Sequence, residues 1–280
     1  MTRKRRSILC PNCKKLISAD EPRCPHCGIA RPGSPLKNNF FTRLFVSTDQ
    51  IIKAIVFVNV GMYIISLLIG PWSSGFSLNP LSLLSPSNKS LLLLGATGTL
   101  PIDRLHRWWT LISANYLHGS LLHILFNMIA LRQIAPLVIR EFGPHRMVIL
   151  YLLTGIIGFL VSYLAGVALT IGASAAVCGL IGASLYYGKS RGGIYGQAIY
   201  RQIGAWALGI FIFGFLVPSI NNWGHGGGMV AGAILGFLLG YEEKRREGLF
   251  QRILAGLCVV ATLVILVWAI GSGIYFRFLA

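Results

Sequence analysis

The chain has 280 residues, of which 54% are hydrophobic and only 12% are charged. A soluble chain carries about a quarter charged residues, so this composition excludes an ordinary water-soluble globular protein. The formal net charge is +17, and the placement of Lys and Arg between apolar stretches accounts for this excess without nucleic-acid binding.

The first module along the chain contains two CxxC motifs, C-P-N-C and C-P-H-C, separated by ten residues. Each motif can present two thiolates to one tetrahedral Zn²⁺, so the pair predicts a zinc ribbon over residues 1–30. The expected ligands are Cys10, Cys13, Cys24 and Cys27. Two disulfides are the alternative, and a reducing cytoplasm disfavours them. Residues 31–50 begin with proline, glycine and serine and are predicted to form a linker.

Seven apolar stretches follow, each long enough or nearly long enough to span a bilayer. They lie near 54–70, 120–139, 147–168, 174–188, 202–218, 225–241 and 253–276. The first, fourth, fifth and sixth are short, which suits spans that begin at a water-filled cavity or locally thin the bilayer. The predicted fold class is therefore an all-α polytopic membrane protein.

The basic residues set the expected orientation in the membrane. The N-terminal arm and the loops 140–146, 189–201 and 242–252 are rich in Lys and Arg, whereas the loops 169–173 and 219–224 contain neither. Because basic loops stay on the cytoplasmic side, we expect the N-terminus inside and the C-terminus outside.

Ser174 and His225 lie at the outer ends of the fourth and sixth predicted spans. Each is followed by small residues at four-residue spacing, which form a ridge almost free of side chains. These residues are Ala175, Gly179 and Ala183 in the fourth span, and Gly228, Gly232, Gly236 and Gly240 in the sixth. Two such helices can approach backbone to backbone. A hydroxyl and an imidazole brought together in this way are the parts of a serine nucleophile and its base.

The alternative is that the glycines serve packing alone and both polar residues are bystanders. A serine is common in membrane helices, but a histidine there is costly and usually functional. In the second span, His123 and Asn127 are four residues apart and share a helix face. Together with the Ser174 backbone N–H they could form an oxyanion hole, or they could form a polar clasp between helices. No acidic residue lies in any span from 120 to 241, which favours a Ser–His dyad.

Several motifs in this order resemble the rhomboid intramembrane serine proteases. They are Trp108-Trp109, the run His118, His123 and Asn127, Glu141-Phe142-Gly143 with Arg146, the GxS at Gly172–Ser174, and the HxxGxxxG of His225, Gly228 and Gly232. The resemblance implies a six-helix core with one extra C-terminal helix. It also implies Ser174 as nucleophile, His225 as general base, and His123, Asn127 and the Ser174 amide as oxyanion donors. His118 matches a histidine that supports the outer loop and is not carried over as catalytic.

Two positions depart from the family pattern. Ala175 follows the serine where the family usually has glycine, and Cys178 stands where it often has an aromatic residue. A thiol in apolar surroundings stays protonated, so Cys178 is not expected to be the nucleophile.

The predicted organisation is a cytoplasmic zinc ribbon at 1–30, a linker at 31–50, a rhomboid-like six-helix core at 51–245 and an extra transmembrane helix at 246–280. The predicted function is an intramembrane serine endopeptidase that cleaves transmembrane or juxtamembrane segments of membrane proteins. We expect structural Zn²⁺ but no catalytic cofactor, a cytoplasmic protein partner for the ribbon, no nucleic acid, and a prokaryotic plasma membrane location.

Two other functions are compatible with a polytopic membrane protein. An inactive, rhomboid-like escort factor would bind membrane proteins, although such proteins typically lack the serine or the histidine, and both are present here. A transporter is disfavoured because the spans from 120 to 241 contain no carboxylates for ion coupling.

Overall fold

The computed structural model describes residues 7–11, 15–29, 31–34, 48–70, 82–217 and 220–279. The chain divides into two compact units, Met1–Ile55 and Val56–Ala280. Cys13 and most of the predicted linker 31–50 lie outside the described residues.

The first unit contains a small antiparallel hairpin. Strand β1 (Ser7–Leu9) pairs with β2 (Leu16–Ser18), and Ile8 lies opposite Ile17. Beside the hairpin, Cys10, Ile17 and Cys24 form a small buried cluster, with Ile8, Cys27 and Ile29 packed against it. Strands of three residues with so small an apolar cluster do not supply a stable core by themselves. Two of the three buried residues in this cluster are cysteines.

Ten helices are present in the described part of the chain. They are α1 (Thr48–Ile69), α2 (Asn88–Leu93), α3 (Thr99–Leu105), α4 (Thr110–Ser113), α5 (Leu121–Phe142), α6 (Pro144–Leu164), α7 (Ser174–Arg191), α8 (Gly193–Leu216), α9 (Asn222–Leu239) and α10 (Leu249–Phe278). A 3₁₀ turn, Ala114–Tyr116, follows α4. The short helices α2 to α4 lie in the segment 71–119, between the first two predicted spans.

Five of these helices are long and apolar enough to cross a membrane: α1, α5, α6, α8 and α10. The prediction of a helical, multi-pass membrane protein is therefore confirmed. Helices α7 and α9 are not among the five, because each has 18 residues and includes many glycines and polar residues. These two helices carry Ser174 and His225.

Helix α7 lies at the centre of the second unit. It packs against α5, α6, α8 and α9, while α9 also packs against α6. Nearly all side chains between Ala175 and Ser184 are buried. Helix α10 packs against α6 and against the short helices α2 and α4. Because α7 packs against other helices, it can carry the glycine and serine residues that such interfaces favour, and these lower its hydropathy.

The predicted inner loop 189–201 is wrong in extent. Helix α7 continues to Arg191 and α8 begins at Gly193, so only a turn remains. Gly192 and Gly193 have φ of 65° and 62°, a backbone region that glycine adopts without strain. Lys189 and Arg191 lie in the last turn of α7, where the helix dipole favours basic side chains. Their charge indicated a loop although they end a helix.

Arg146 lies at the start of α6 and is completely buried. Its guanidinium donates to the carbonyl oxygens of Phe142 at 3.0 Å and Arg245 at 2.6 Å, and to Glu242 Oε1 at 3.3 Å. Glu247 accepts from the Arg146 backbone N–H and contacts His145 Nδ1, each at 2.7 Å. This group, the inner clamp, joins the α5–α6 turn to the segment between α9 and α10.

Candidate active site

Ser174 is the first residue of α7, and the segment before it is fixed by backbone hydrogen bonds. Thr170 pairs with Thr97 in an antiparallel bridge, and the Gly172 N–H donates to the Ala114 carbonyl oxygen at 2.9 Å. The N-cap of α7 is Ala173, and no side chain among the described residues caps the helix. The first-turn N–H groups, including that of Ser174, therefore point away from the helix without an intrahelical partner, as an anion site requires.

His225 is the fourth residue of α9 and is 8% exposed. Its Nδ1 atom is buried and has no hydrogen-bond partner in the described part of the chain. Its backbone N–H donates to the Asn221 carbonyl oxygen at 3.1 Å. The imidazole is therefore held by the backbone of α9 and by packing. No carboxylate among the described residues hydrogen-bonds to it.

The backbones of α7 and α9 touch through their small residues. A Cβ on Gly228 would overlap the Ala175 carbonyl oxygen, and a Cβ on Gly232 would overlap that of Gly179. In the other direction, a Cβ on Gly182 would overlap the Met229 carbonyl oxygen. The backbone approach predicted from the glycine stripe is present, and it extends over more than two helical turns.

Gly158 of α6 packs against the neighbours of both candidate catalytic residues. A Cβ at Gly158 would lie 3.0 Å from the Ala175 Cβ and 2.7 Å from the Gly224 carbonyl oxygen. Ala175 follows Ser174 and Gly224 precedes His225, so both residues lie at the same end of two touching helices. No direct hydrogen bond between Ser174 Oγ and His225 is present in the described residues. Such bonds are commonly long until substrate is bound.

His123 faces Ser174 across Gly172. Its Nδ1 accepts from the Gly119 backbone N–H at 3.3 Å, which leaves the ring proton of the neutral imidazole on Nε2. A Cβ on Gly172 would lie 2.7 Å from this Nε2 and 3.7 Å from Ser174 Oγ. Gly172 has φ of 122°, so only glycine allows both this backbone and this close approach. The hydrogen-bonding pattern makes His123 a donor on the side of the serine.

Asn127 lies one turn further along α5 and is 6% exposed. Its Nδ2 donates to the His123 carbonyl oxygen at 2.9 Å. An amide nitrogen has two hydrogens, so one donor remains for another acceptor.

His118 and Cys178 are buried beside this group. The rings of His118 and His123 meet edge to face at 5.1 Å between centroids. Burial, together with the nearby His123, lowers the pKa of His118 well below its usual range. His118 is therefore neutral at ordinary pH. Cys178 is 2% exposed and lies one turn beyond Ser174 in the packed interior.

Asn221 was not among the residues selected from the sequence. It is the N-cap of α9, and its Oδ1 accepts from the Gly224 N–H at 3.0 Å. Its Nδ2 donates to Ser162 Oγ at 2.8 Å and to Thr170 Oγ1 at 2.9 Å. An asparagine just before a helix is a recognised capping signal. Its two contacts with residues far away in the sequence depend on the fold.

Three of the four predicted zinc ligands are described, and the structure brings them together. The sulfur atoms of Cys10, Cys24 and Cys27 lie within 4.8 Å of one another. The Cys10 and Cys27 sulfurs are 3.6 Å apart, far longer than the roughly 2.05 Å of a disulfide. Sulfurs bound to one tetrahedral Zn²⁺ at about 2.3 Å are separated by about 3.8 Å. The donor set therefore fits zinc.

The comparisons with known proteins agree on one family. The profile of a family described as the Rhomboid domain matches residues 105–242. The chain is 27% identical over 253 residues to the rhomboid protease GluP of Bacillus subtilis, covering 89% of this chain and 43% of GluP. It is 39% identical over 163 residues to RHOMBOID-like protein 5 of Arabidopsis thaliana, covering 56% and 52%.

A third relative is covered more completely. The chain is 31% identical over 141 residues to the candidate rhomboid protease YdcA of Bacillus subtilis, covering 50% of this chain and 71% of YdcA. By contrast, the chain spans only about half the length of GluP and of RHOMBOID-like protein 5.

Proposed function

Because the chain belongs to the rhomboid family, we propose that it is an intramembrane serine endopeptidase that uses Ser174 and His225 as a catalytic dyad. The observation that carries this proposal is the backbone contact of α7 and α9, in which Gly228 lies against Ala175. This contact is next to the candidate nucleophile and one turn from the candidate base.

In the proposed reaction, Ser174 Oγ attacks the scissile carbonyl carbon while His225 takes the hydroxyl proton. The tetrahedral intermediate collapses, the C–N bond breaks, and His225 gives the proton to the leaving amine. A water molecule then attacks the acyl-enzyme with His225 again as base, and releases the carboxylate product and the serine hydroxyl. In this proposal the Ser174 amide and His123 Nε2 are the N–H donors that stabilise the negative oxygen, and Asn127 is the third candidate.

The substrates would be membrane proteins with a transmembrane helix. A helical peptide bond is hydrogen-bonded to its own helix, so the segment must unwind before its carbonyl reaches Ser174. Small or helix-breaking residues near the cleavage site reduce the cost of unwinding. Helix α8 exposes large apolar side chains along its outer half, including Leu208, Phe213 and Phe215. Such a face suits contact with lipid, and α8 is proposed as the helix that moves to admit substrate.

We further propose seven membrane spans, with α7 and α9 as short central spans and α10 as the extra helix beyond a six-helix core at 51–245. The positive-inside pattern places the N-terminus in the cytoplasm and the C-terminus outside, and the prokaryotic plasma membrane is the expected location. Single cysteines introduced near residue 34 and residue 279, each in a background without native cysteines, test this topology. We expect an impermeant thiol reagent to label only the second in intact cells.

The N-terminal module is proposed to be a structural zinc ribbon at 1–30, with Cys10, Cys13, Cys24 and Cys27 as ligands. The sulfur spacing of the three described cysteines supports it. In this proposal the metal takes no part in peptide hydrolysis, and the ribbon binds a cytoplasmic protein. Removal of residues 1–35 should therefore leave cleavage of a simple substrate intact and abolish recruitment of that partner.

The alternative function is a membrane-protein escort that binds without cleaving. One experiment separates the two. Purified protein is reconstituted in liposomes with a panel of single-span proteins, and products are measured by mass spectrometry, with Ser174→Ala as control. Cleavage at a defined bond that the variant has lost supports the protease. Equal, uncleaved binding by both proteins would contradict it and favour the escort.

A further inference from the structure

The side chain of Asn221 joins the first turn of α9, just before His225, to Thr170 in the segment before Ser174. The inference drawn from this contact rests on the protease function proposed above. Asn221 stands four residues before His225, and its partner Thr170 stands four residues before Ser174. We propose that Asn221 is a positioning residue, which fixes the first turn of α9, and with it His225, against the segment that carries Ser174.

The orientation of the Asn221 amide follows from its partners. The Ser162 hydroxyl donates its one hydrogen to the Gly158 carbonyl oxygen at 2.9 Å, so Ser162 Oγ can only accept from Asn221. The Gly224 backbone N–H can only donate, so it requires the oxygen of the amide. Nδ2 therefore faces Ser162 and Thr170 while Oδ1 faces Gly224, and both hydrogens of the amide are used.

The position of this contact in the bundle explains why it matters. The glycine contacts between α7 and α9 begin at Gly228, one turn inside His225. His225 directly follows the first three residues of α9, which are its least restrained part because their N–H groups have no intrahelical acceptors. Asn221 supplies one acceptor to this turn through Gly224 and attaches it to α6 and to the loop before α7.

Thr170, the partner of Asn221 in the segment before α7, is also restrained. Thr170 is 7% exposed, and its backbone is bonded to Thr97 in both directions, at 2.7 Å and 3.1 Å. Two residues later, the Gly172 N–H is bound to Ala114. The hydroxyl of Thr170 is therefore held in place four residues before the nucleophile. Because Asn221 joins this hydroxyl to the start of α9, His225 keeps its position relative to Ser174 during substrate entry.

The variant Thr170→Val tests this role, since it removes the hydroxyl and keeps the shape, the backbone bridge and the helix cap on Gly224. Thr97→Val is the matched control. Thr97 is on the same bridge and is fully buried, but its hydroxyl contacts Thr110 at 3.0 Å and not Asn221. A displacement of about 1 Å costs about a hundredfold in rate. We therefore expect kcat to fall about tenfold to a hundredfold in Thr170→Val, with KM and melting temperature equal to those of Thr97→Val.

A second pair of variants, Ser162→Ala and Ser184→Ala, tests the same role if Thr170→Val does not fold. Ser162 and Ser184 are both buried and both donate to the carbonyl oxygen four residues earlier, at 2.9 Å and 2.8 Å. Only Ser162 also accepts from Asn221. Ser162→Ala should lower kcat with an unchanged KM, and should speed amide hydrogen exchange at Gly224 and His225. Ser184→Ala should do neither.

The outcomes separate this inference from the function on which it rests. If the wild type cleaves substrate, Ser174→Ala is inactive, and Thr170→Val matches Thr97→Val in kcat, the positioning role is wrong and the protease stands. A loss of kcat that only follows a loss of melting temperature also overturns the positioning role, because Asn221 would then act on stability alone. If the wild type cleaves nothing, both fail.

Discussion

The carbonyl oxygen of Gly179 occupies the position that a Cβ on Gly232 would need. A clash with backbone cannot be relieved by rotating a side chain, so α7 and α9 must separate to admit even one methyl group. Gly232 is seven residues beyond His225, and Gly179 is five beyond Ser174. Separation at this point would therefore widen the gap between base and nucleophile.

We expect Gly232→Ala to lower the free energy of unfolding by about 1–3 kcal/mol, as overpacking does, and to reduce cleavage strongly. Gly256→Ala on α10 is the control, because no atom lies within 4 Å of its added Cβ. It should keep activity and gain slightly in stability through helix propensity. Thermal unfolding in detergent and a cleavage assay check both. A fully active Gly232→Ala protein would show that the stripe is not a tight interface.

Ser174 and His225 should act as one unit. We expect Ser174→Ala and His225→Ala each to remove nearly all cleavage, and the double variant to be no slower than either single variant. Ser184→Ala, on the same helix as Ser174, should retain activity. The measurement is single-turnover cleavage of a fluorescent single-span substrate. Additive losses would indicate that the two residues do not share a step.

The oxyanion role of His123 can be tested separately from the dyad. We expect His123→Ala to reduce kcat by about 10²–10³, with a small change in KM, because the donor acts on charge that develops only in the transition state. Asn127→Ala should have a smaller effect, since one of its donors is already bonded to the His123 carbonyl oxygen. An unchanged kcat in His123→Ala would assign its Nε2 to another partner.

The inner clamp should contribute to stability and not to chemistry. Glu247→Ala removes the acceptor of the Arg146 backbone N–H and the partner of His145. It should lower the free energy of unfolding, measured by thermal unfolding in detergent, by about 3 kcal/mol, because buried groups lose a charged partner. Glu243→Ala is the matched control. Glu243 is half-exposed and pairs with Arg191 at the surface, so the melting temperature should change little. Equal effects of the two variants would contradict the clamp.

Metal analysis tests the ribbon. We expect the purified wild type to contain one equivalent of zinc, and Cys24→Ser to lose most of it, because a hydroxyl is a poor replacement for a thiolate ligand. Cys258→Ser, in the apolar helix α10, should leave the zinc content unchanged. Metal-free protein with disulfides in the N-terminal arm would overturn both the zinc site and its cytoplasmic location.

Much of the fold was accessible from the sequence because a bilayer imposes length and polarity on each span. The stretches 120–139 and 253–276 correspond closely to α5 and α10. The span at 202–218 was too short, since α8 begins at Gly193. Its first turns carry Gln197 and Arg201, whose polarity is typical of a loop although both lie on a helix. Hydropathy responds to the environment of a side chain and not to its backbone conformation.

Ser174, His225 and His123 could be selected from local pattern alone, because a buried histidine and repeated glycines are rare without a purpose. The four-residue spacing of the glycines and alanines indicated that α7 and α9 could approach backbone to backbone. The roles of Asn221, Thr170 and Glu247 could not be derived in this way. Each bonds to residues about 50 to 100 positions away, and a hydrogen bond depends on two atoms meeting within about 3 Å, which only the packed helices decide.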